Sequence, residues 1–426
     1  MTDPVPQSAP LILNDLHRMP FDALVALVAE AGMRVRKEAS RHHHCLDLIR
    51  AAIASNRLAI ATGLLEVAGD QAHLRFPAFG LRPGADDILV PRDQIRAMGL
   101  RPGVLLRVSL RLHEKDRSLV CREILEVEGI PASEWSTPED FDKLTPLFPQ
   151  KRVFLESPSG GAPAARAVDL VAPLGMGQRG IIAAPPRSGK TILLRMIAKA
   201  IRKNHPEVCL MLLLVDERPE EVTDFKSELD CEIYASTFDE PVARHVQVCE
   251  AVNERAKRLV ELGKDVIILL DSLTRMARGY NNIQPTKGRT MSGGVDSKAL
   301  ARPRKFFGSA RNTEEGGSLT ILATCLIETQ SRMDDLIFEE FKGTGNMEIY
   351  LDRQIAEQRI FPAIHIVKSG TRREELLYHP EEYERVVALR RQLSELPAAE
   401  AMEILVTNIR HTQNNAEILL AGLKGV

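Results

Sequence analysis

"AAPPRSGKT", residues 183–191, is the stretch on which the fold turns. Phosphate-binding loops follow the pattern G-x-x-x-x-G-K-[ST]. Here only the first position departs, with Ala184 in place of glycine. An alanine is tolerated there if its φ is negative, and Pro185 and Pro186 stiffen the loop by fixing φ. The apolar run "GIIAA" precedes the loop and the amphipathic run "ILLRMIAKAIRK" follows it. Strand, loop and helix therefore come in the order this motif requires. In that order the amides from Ser188 to Thr191 face a β-phosphate at a helix N-terminus, where the dipole favours anions. Lys190 then reaches the β- and γ-phosphates and the Thr191 hydroxyl holds Mg²⁺. A chance GKT in a turn is the competing reading, and the motif alone leaves it standing.

Two carboxylate clusters weigh against chance. "KDVIILLDS" is an apolar strand ending in Asp271, a Walker B arrangement that holds Mg²⁺ through water. "CLMLLLVDERPEEV" is a second apolar strand, ending in Asp216 and Glu217. A carboxylate beside the γ-phosphate positions and activates the attacking water. Either acid alone reads as a helix cap. Three such strand ends coincide with the edge where parallel sheets bind ligands, so nucleotide hydrolysis is expected. "PLGMGQRG" holds Gly175, Gly177 and Gly180 in dinucleotide-fingerprint spacing, but they precede a strand instead of following one and read as turn glycines.

Further cations accompany the motor motifs. "SGTRREELL" presents Arg372 and Arg373, and "AEQRIFPAI" presents Arg359 and Phe361. Such arginines usually make surface ion pairs, but in a ring ATPase one of them reaches a neighbour's site as an arginine finger. The loop "NNIQPTKGRTMSGGVD" carries Lys287 and Arg289, and "ETQSRMDD" offers Arg332 after an apolar strand. Basic loops around a central hole could grip a phosphate backbone.

Composition sets the outer bounds. The chain has 426 residues, 44% hydrophobic, enough for two or three domains, and a formal net charge of −2. Nucleic-acid contact must therefore come from local patches. Six scattered cysteines with no CxxC pair argue against a disulfide framework or a zinc site and fit a reducing compartment. No run approaches the ~20 apolar residues of a bilayer span, and the N-terminus lacks the signature of a signal peptide. A cytoplasmic protein with no membrane contact is expected.

Residues 11–57 have helical spacing, with Leu24, Leu27, Val28 and Met33 able to share a face. "RVRKEASRHHHCLDLIRAAIASNR" holds six arginines or lysines against two acids. It reads either as a solvated helix face or as a secondary contact for nucleic-acid phosphates. His42, His43 and His44 are adjacent, so on a helix their side chains diverge instead of converging on a metal, and no metal site is expected there. From residue 59 to 129 five short β-rich runs separated by glycine and proline suggest an OB or cold-shock barrel, which usually stacks single-stranded bases on aromatic side chains.

These strings resemble the transcription termination factor Rho family, hexameric RNA-dependent ATPases and helicases with a RecA-type motor. The resemblance runs from about Met33 to the C-terminus and rests on "APPRSGKT", "DERPEEV", "ASTFDEP", "ARHVQV", "DVIILLDS", "EEFKGTGNMEI" and "SGTRREELL". Proton-pumping ATPase subunits share the core but not these strings. The resemblance implies an ATP site formed by Pro186, Arg187, Ser188, Gly189, Lys190, Thr191 and Ile192, with Phe361 stacked on adenine. It makes Glu217 the catalytic carboxylate, Arg218 a sensor of the nucleotide, Arg372 the finger from the next subunit, and Thr191 with Asp271 the Mg²⁺ holders. Lys287 and Arg289 fall on one RNA-gripping pore loop and Arg332 on the other. The family usually has lysine where Arg289 and Arg332 stand, so charge is kept while geometry changes.

The barrel departs from the family. Gln71 and His73 stand where phenylalanines are expected and Leu89 where a tyrosine is, while Arg75 and Asp116 keep a basic and an acidic partner for RNA. Phe76 or Phe79 could replace the lost rings through a shifted register. The expected organisation is multidomain: a helical subdomain (1–57), an OB/cold-shock-like β-barrel (58–130), a linker (131–165) and a C-terminal α/β RecA-like P-loop ATPase domain (166–426). The expected protein is a homo-hexameric, ATP-driven translocase on single-stranded RNA with a weakened or retuned primary site. RNA polymerase or a second Rho are further candidate partners. The alternative is a regulatory paralogue that binds or co-assembles without terminating transcription itself.

Overall fold

The computed structural model describes residues 9–36, 38–157, 162–284, 294–296 and 298–424. It falls into two compact units, Met1–Glu139 with Ala251–Arg258, and Asp140–Glu250 with Leu259–Val426.

The first unit opens with three helices, α1 (Leu13–Arg18), α2 (Phe21–Glu30) and α3 (Arg41–Ala54). Leu24 and Val28 of α2 are buried, and Leu27 and Met33 pack on the same core, the face that the 3–4 spacing requires. Five strands follow, where the β-rich runs predict them: β1 (Ala59–Ala68), β2 (Gln71–Arg75), β3 (Ile88–Leu89), β4 (Leu105–Leu112) and β5 (Leu119–Val127). They pair in the order β1–β2–β3–β5–β4, and β4 pairs back to β1, which closes the barrel. Closure removes the unpaired strand edges that an open sheet would present. A short helix, Arg92–Ala97, was not anticipated from sequence.

Alternation along β2 sends Ala72 and Leu74 into the core and leaves Gln71, His73 and Arg75 on the outer face. Leu89 pairs with His73 across β2 and β3. Phe76 is 2% exposed and belongs to the barrel core. Phe79 is half-buried, its ring against His17 and His42.

The second unit is built on a nine-stranded sheet. Its main strands are β6 (Arg179–Ala184), β7 (Cys209–Glu217), β8 (Glu232–Thr237), β9 (Asp265–Asp271), β10 (Ser318–Leu326), β11 (Met347–Tyr350) and β12 (Gly370–Thr371). Their order is β8–β7–β9–β10–β6–β11–β12, parallel throughout except for β12. The central strands are near-continuous apolar runs, as strands covered on both faces must be. The helices that matter for the site are α4 (Lys190–Asn204), α5 (Pro219–Glu228), α6 (Leu273–Asn282) and α7 (Arg332–Lys342). Because the strands are parallel, β6, β7, β9 and β10 all end on one edge of the sheet.

The end of the first unit, Glu139, lies inside the stretch 131–165 expected as a linker. Two short strands in that stretch, Pro146–Leu147 and Arg152–Val153, pair with Arg311–Thr313 and Leu174–Gly175 respectively. Of the glycines of "PLGMGQRG" expected in a turn before a strand, Gly177 lies there with φ +92°, whereas Gly175 and Gly180 lie in strands, Leu174–Gly175 and β6. A Cβ on Gly177 would stand 2.3 Å from the backbone nitrogen of Asn312, whereas one on Gly263, also at positive φ, would meet nothing. Gly263→Ala should therefore cost about 1 kcal/mol, the left-handed penalty alone. Gly177→Ala should cost about 3 kcal/mol, because steric overlap adds to that penalty. Chemical denaturation of the two variants checks the ranking.

Candidate active site

The glycine-lysine turn sits where β6 meets α4. Ala184 closes β6 in extended conformation and is fully buried, so no glycine is needed at this position. The special conformations come later: Arg187 has φ +66°, and Gly189, the N-cap of α4, has φ +90°. The Ser188 hydroxyl donates to the Pro185 carbonyl at 2.7 Å, which ties the loop across its own base.

Lys190 Nζ donates to both oxygens of Asp271, at 2.6 and 2.8 Å, and lies 3.5 Å from Glu217 Oε1. Thr191 Oγ1 is 3.4 Å from Asp271 Oδ2. Asp271 is fully buried, and the Thr324 hydroxyl on the neighbouring strand β10 donates to its Oδ1 at 2.7 Å. Glu217 is 2% exposed. Its position depends on a β-bulge, since β7 and β8 slip register between Val215 and Glu217 with Asp216 at φ +56°. A bulge adds one residue and re-aims the next side chain. It turns the Glu217 carboxylate towards Lys190 and leaves Asp216 half-exposed.

Burial alone would lower the Lys190 pKa, but the Asp271 and Glu217 carboxylates outweigh it and hold the ammonium above its ordinary range. Burial pushes the Glu217 carboxyl up, and the charge of Asp271 adds to the effect. Lys190 and Arg275 oppose the rise without cancelling it. Arg275, on α6, reaches Glu217 Oε2 at 3.4 Å. Two buried acids thus face two cations, an arrangement that stays charged only while each member keeps its partner.

Beside the loop lies an apolar cleft of about 360 Å³, lined by Ser188, Gly189, Ile192, Met196, Leu351 and Phe361 among others. The Phe361 ring would lie 3.5 Å from a Cβ on Gly189. Ile192 and Phe361 are exposed, at 58% and 42%. An aromatic ring over a phosphate loop, with the wall otherwise apolar, suits a flat heterocycle.

The chain therefore brings together Ser188, Gly189, Lys190, Thr191, Glu217, Asp271, Ile192 and Phe361. Arg218, the N-cap of α5, is exposed directly after Glu217. Arg372 is exposed just past β12, two strands from β6, in a separate cleft of about 290 Å³ with Lys368, Glu374 and Arg390. Arg332 is exposed at the start of α7. Lys287 and Arg289 lie outside the described residues. In the barrel, Arg75 donates to Glu66 at 2.6 Å and also pairs with Asp87. Asp116, in the exposed β4–β5 turn, is drawn down to about 2, chiefly by hydrogen bonds from the Ser118 N–H and hydroxyl. Arg34, Arg36, Arg50 and Arg117 line an open groove of about 1170 Å³ in the first unit. Arg275 and Thr324 were missed by sequence reasoning. Arg275 lies one helical turn past Asp271, which was an available signal, whereas Thr324 is placed only by strand order.

The nucleotide-binding domain model of the ATP synthase alpha/beta family matches residues 164–371. Curated relatives are similar over nearly the whole chain. Transcription termination factor Rho of Akkermansia muciniphila is 49% identical over 98% of this chain and 89% of that protein. The Rho of Allochromatium vinosum is 46% identical over 97% of this chain and 100% of that protein. Among solved structures, a prototypical ATPase of the type III secretion system of pathogenic bacteria aligns with TM-score 0.56 at 22% identity, covering 66% of this chain and 86% of that one. The ATPase EscN of enteropathogenic E. coli aligns with TM-score 0.53 at 18% identity, covering 84% and 98%. These two likenesses establish the fold. Family and site together make this chain an ATP-hydrolysing P-loop enzyme.

If Glu217 is the group that accepts the proton, it must be ionised to do so, and its raised pKa then puts an acidic limb on the rate–pH profile, with activity lost as pH falls through that pKa. Arg275→Ala removes a cation that holds the pKa down. The limb should move to higher pH, as measured by steady-state ATPase rates across pH. An unmoved limb would show that Arg275 does not act on Glu217.

Proposed function

The chain belongs to the transcription termination factor Rho family, and from that premise we propose that it is an ATP-driven RNA translocase working as a homo-hexameric ring in the cytoplasm. The observation that carries this reading is the convergence of Lys190, Thr191, Glu217 and Asp271 at one sheet edge beside the Phe361 cleft.

Arg275 apart, the roles are those the family resemblance implies, and the geometry of the described residues supports the ones at the nucleotide site. Adenine enters the apolar cleft against Phe361 and Ile192, and the triphosphate lies over the amides of residues 186–191 at the start of α4. Lys190 leaves Asp271 for the β- and γ-phosphates. Thr191 and Asp271 put hard oxygen donors side by side, the donor set that suits Mg²⁺, and the ion, when bound, neutralises charge on the phosphates. Glu217 orients the attacking water and takes its proton, Arg275 keeps it ionised, and Arg218 senses the nucleotide. Arg372, exposed and remote from its own chain's site, is suited to reach a neighbour's site as the finger. Arg332, with Lys287 and Arg289, grips RNA in the pore.

The barrel is the weak part. Residues 58–139 contain three aromatics, Phe76, Phe79 and Trp135. Phe76 is buried and the other two are half-buried in packing. Gln71, His73 and Leu89 therefore leave the outer face of β2 and β3 only the small His73 imidazole as a ring for a base, and Arg75 is already paired with Glu66 and Asp87. Each lost stacking platform is worth about 1–3 kcal/mol per base, so the primary RNA site is weakened. The same observation favours a second reading, a regulatory paralogue that co-assembles with another Rho or acts at RNA polymerase without driving termination itself.

Glu217→Gln should lower ATP turnover by roughly 10²–10⁴-fold while native mass spectrometry still finds the hexamer. Turnover at the parent rate would sink the assignment of Glu217. In the barrel, the combined change Gln71→Phe, His73→Phe and Leu89→Tyr should tighten binding of a cytidine-rich oligonucleotide by at least about tenfold, read by fluorescence anisotropy. No gain would mean that the missing rings are not what limits the site.

A further inference from the structure

The three adjacent histidines do diverge. His43 Nδ1 bonds to the Ser40 hydroxyl at 2.8 Å and His44 lies against the Phe21 ring. His42, however, turns towards two residues from elsewhere in the first unit. Its Nδ1 is 2.6 Å from Asp86 Oδ1, while His17 Nε2 is 2.6 Å from Asp86 Oδ2. Asp86 is fully buried and His17 nearly so. Candidate ligand atoms from all three lie within 4.8 Å of one another.

We propose that His17, His42 and Asp86 form a binding site for a divalent late transition metal ion, with zinc the best fit. Two imidazole nitrogens and one carboxylate oxygen are zinc's borderline ligand set and a poor one for Mg²⁺ or Ca²⁺. Three protein ligands leave the fourth tetrahedral position for water, and the half-exposed edge of His42 is where water reaches the cluster. Ligand atoms around tetrahedral zinc stand about 3.3 Å apart, so closure needs side-chain shifts of about 1 Å.

The site is held from several sides. Arg41, the residue before His42, donates to the carbonyls of Leu16, His17 and Met19, which fixes the C-terminal turn of α1 against α3. The Phe76 and Phe79 rings each lie 4.6 Å from the His17 ring, and Phe79 lies 4.4 Å from that of His42, an apolar wall around the ligands. Gly84 has no side chain where a Cβ would stand 2.9 Å from Asp86 Oδ1 and 3.0 Å from His42 Nδ1, which leaves room beside both. Asp86 satisfies only one end of the His17 ring, since the His17 Nδ1 is buried with no hydrogen-bond partner among the described residues. A bound ion would tie α1, α3 and the segment before β3 into one cross-link.

The test uses the tag-free full-length protein, stripped with chelator and titrated with zinc against a chromophoric competitor, with zinc also counted by mass spectrometry. His42→Ala is the main variant because that side chain is partly exposed and the fold should tolerate its loss, which circular dichroism verifies. Asp86→Asn keeps shape while removing charge, and His43→Ala is the control. The expected result is one zinc per chain that raises the thermal midpoint, with affinity lowered at least tenfold in His42→Ala and Asp86→Asn and unchanged in His43→Ala. Zinc bound equally well by folded His42→Ala, or no stoichiometric zinc in the parent protein, would overturn the proposal and leave the cluster as a hydrogen-bonded clamp.

Discussion

The Lys190 ammonium rests on both oxygens of a carboxylate, Asp271, that is fully buried. A buried charge is costly unless a partner and hydrogen bonds accompany it, and the surrounding architecture supplies them. The parallel sheet delivers Asp271 and Glu217 to one edge, the turn after β6 delivers Lys190, β10 delivers the Thr324 hydroxyl, and α6 delivers Arg275. On the proposed reading the pairing is also what nucleotide exchanges: the phosphates take Lys190 from Asp271, and Asp271 is released to the metal side of the site.

Much of this was legible because it is local. The glycine-lysine turn, the two acid-ended strands and the five barrel runs all depend on short-range pattern, and the structure places each where the pattern predicts. What was not legible depends on contacts between distant segments. The bulge at Asp216, which makes Glu217 and not Asp216 the buried acid, follows from pairing with β8. Thr324 matters only because β10 lies beside β9. Asp86 meets His17 and His42 across 69 and 44 positions, so a run of three histidines misdirected attention to its own neighbours. Phe76 and Phe79 could have served as stacking platforms by sequence, but the first packs inward and the second covers two histidines. Lys287 and Arg289 remain outside the described residues.

The two units carry different kinds of information. The site at the sheet edge gathers Lys190, Thr191, Glu217, Asp271 and Arg275, and its fold is shared with ATPases of quite different employment. On the proposed reading the barrel is where this chain departs, through fewer aromatic rings on an intact closed scaffold. Its outer face keeps Arg75 tied to two acids and, among Gln71, His73 and Leu89, offers only the His73 imidazole as a ring. On that reading, a ring ATPase with a competent motor and a poor loading surface would depend on RNA that reaches the pore directly.

The measurement that tests this most directly is ATP hydrolysis by the purified protein alone, with poly(C), and with short uridine-rich oligonucleotides. The account predicts strong stimulation by the short oligonucleotides and little by poly(C), because the pore works while the barrel captures cytidine poorly. Equal stimulation by poly(C) would contradict the weakened barrel, and no stimulation by either RNA from an intact ring would contradict the RNA-driven motor itself.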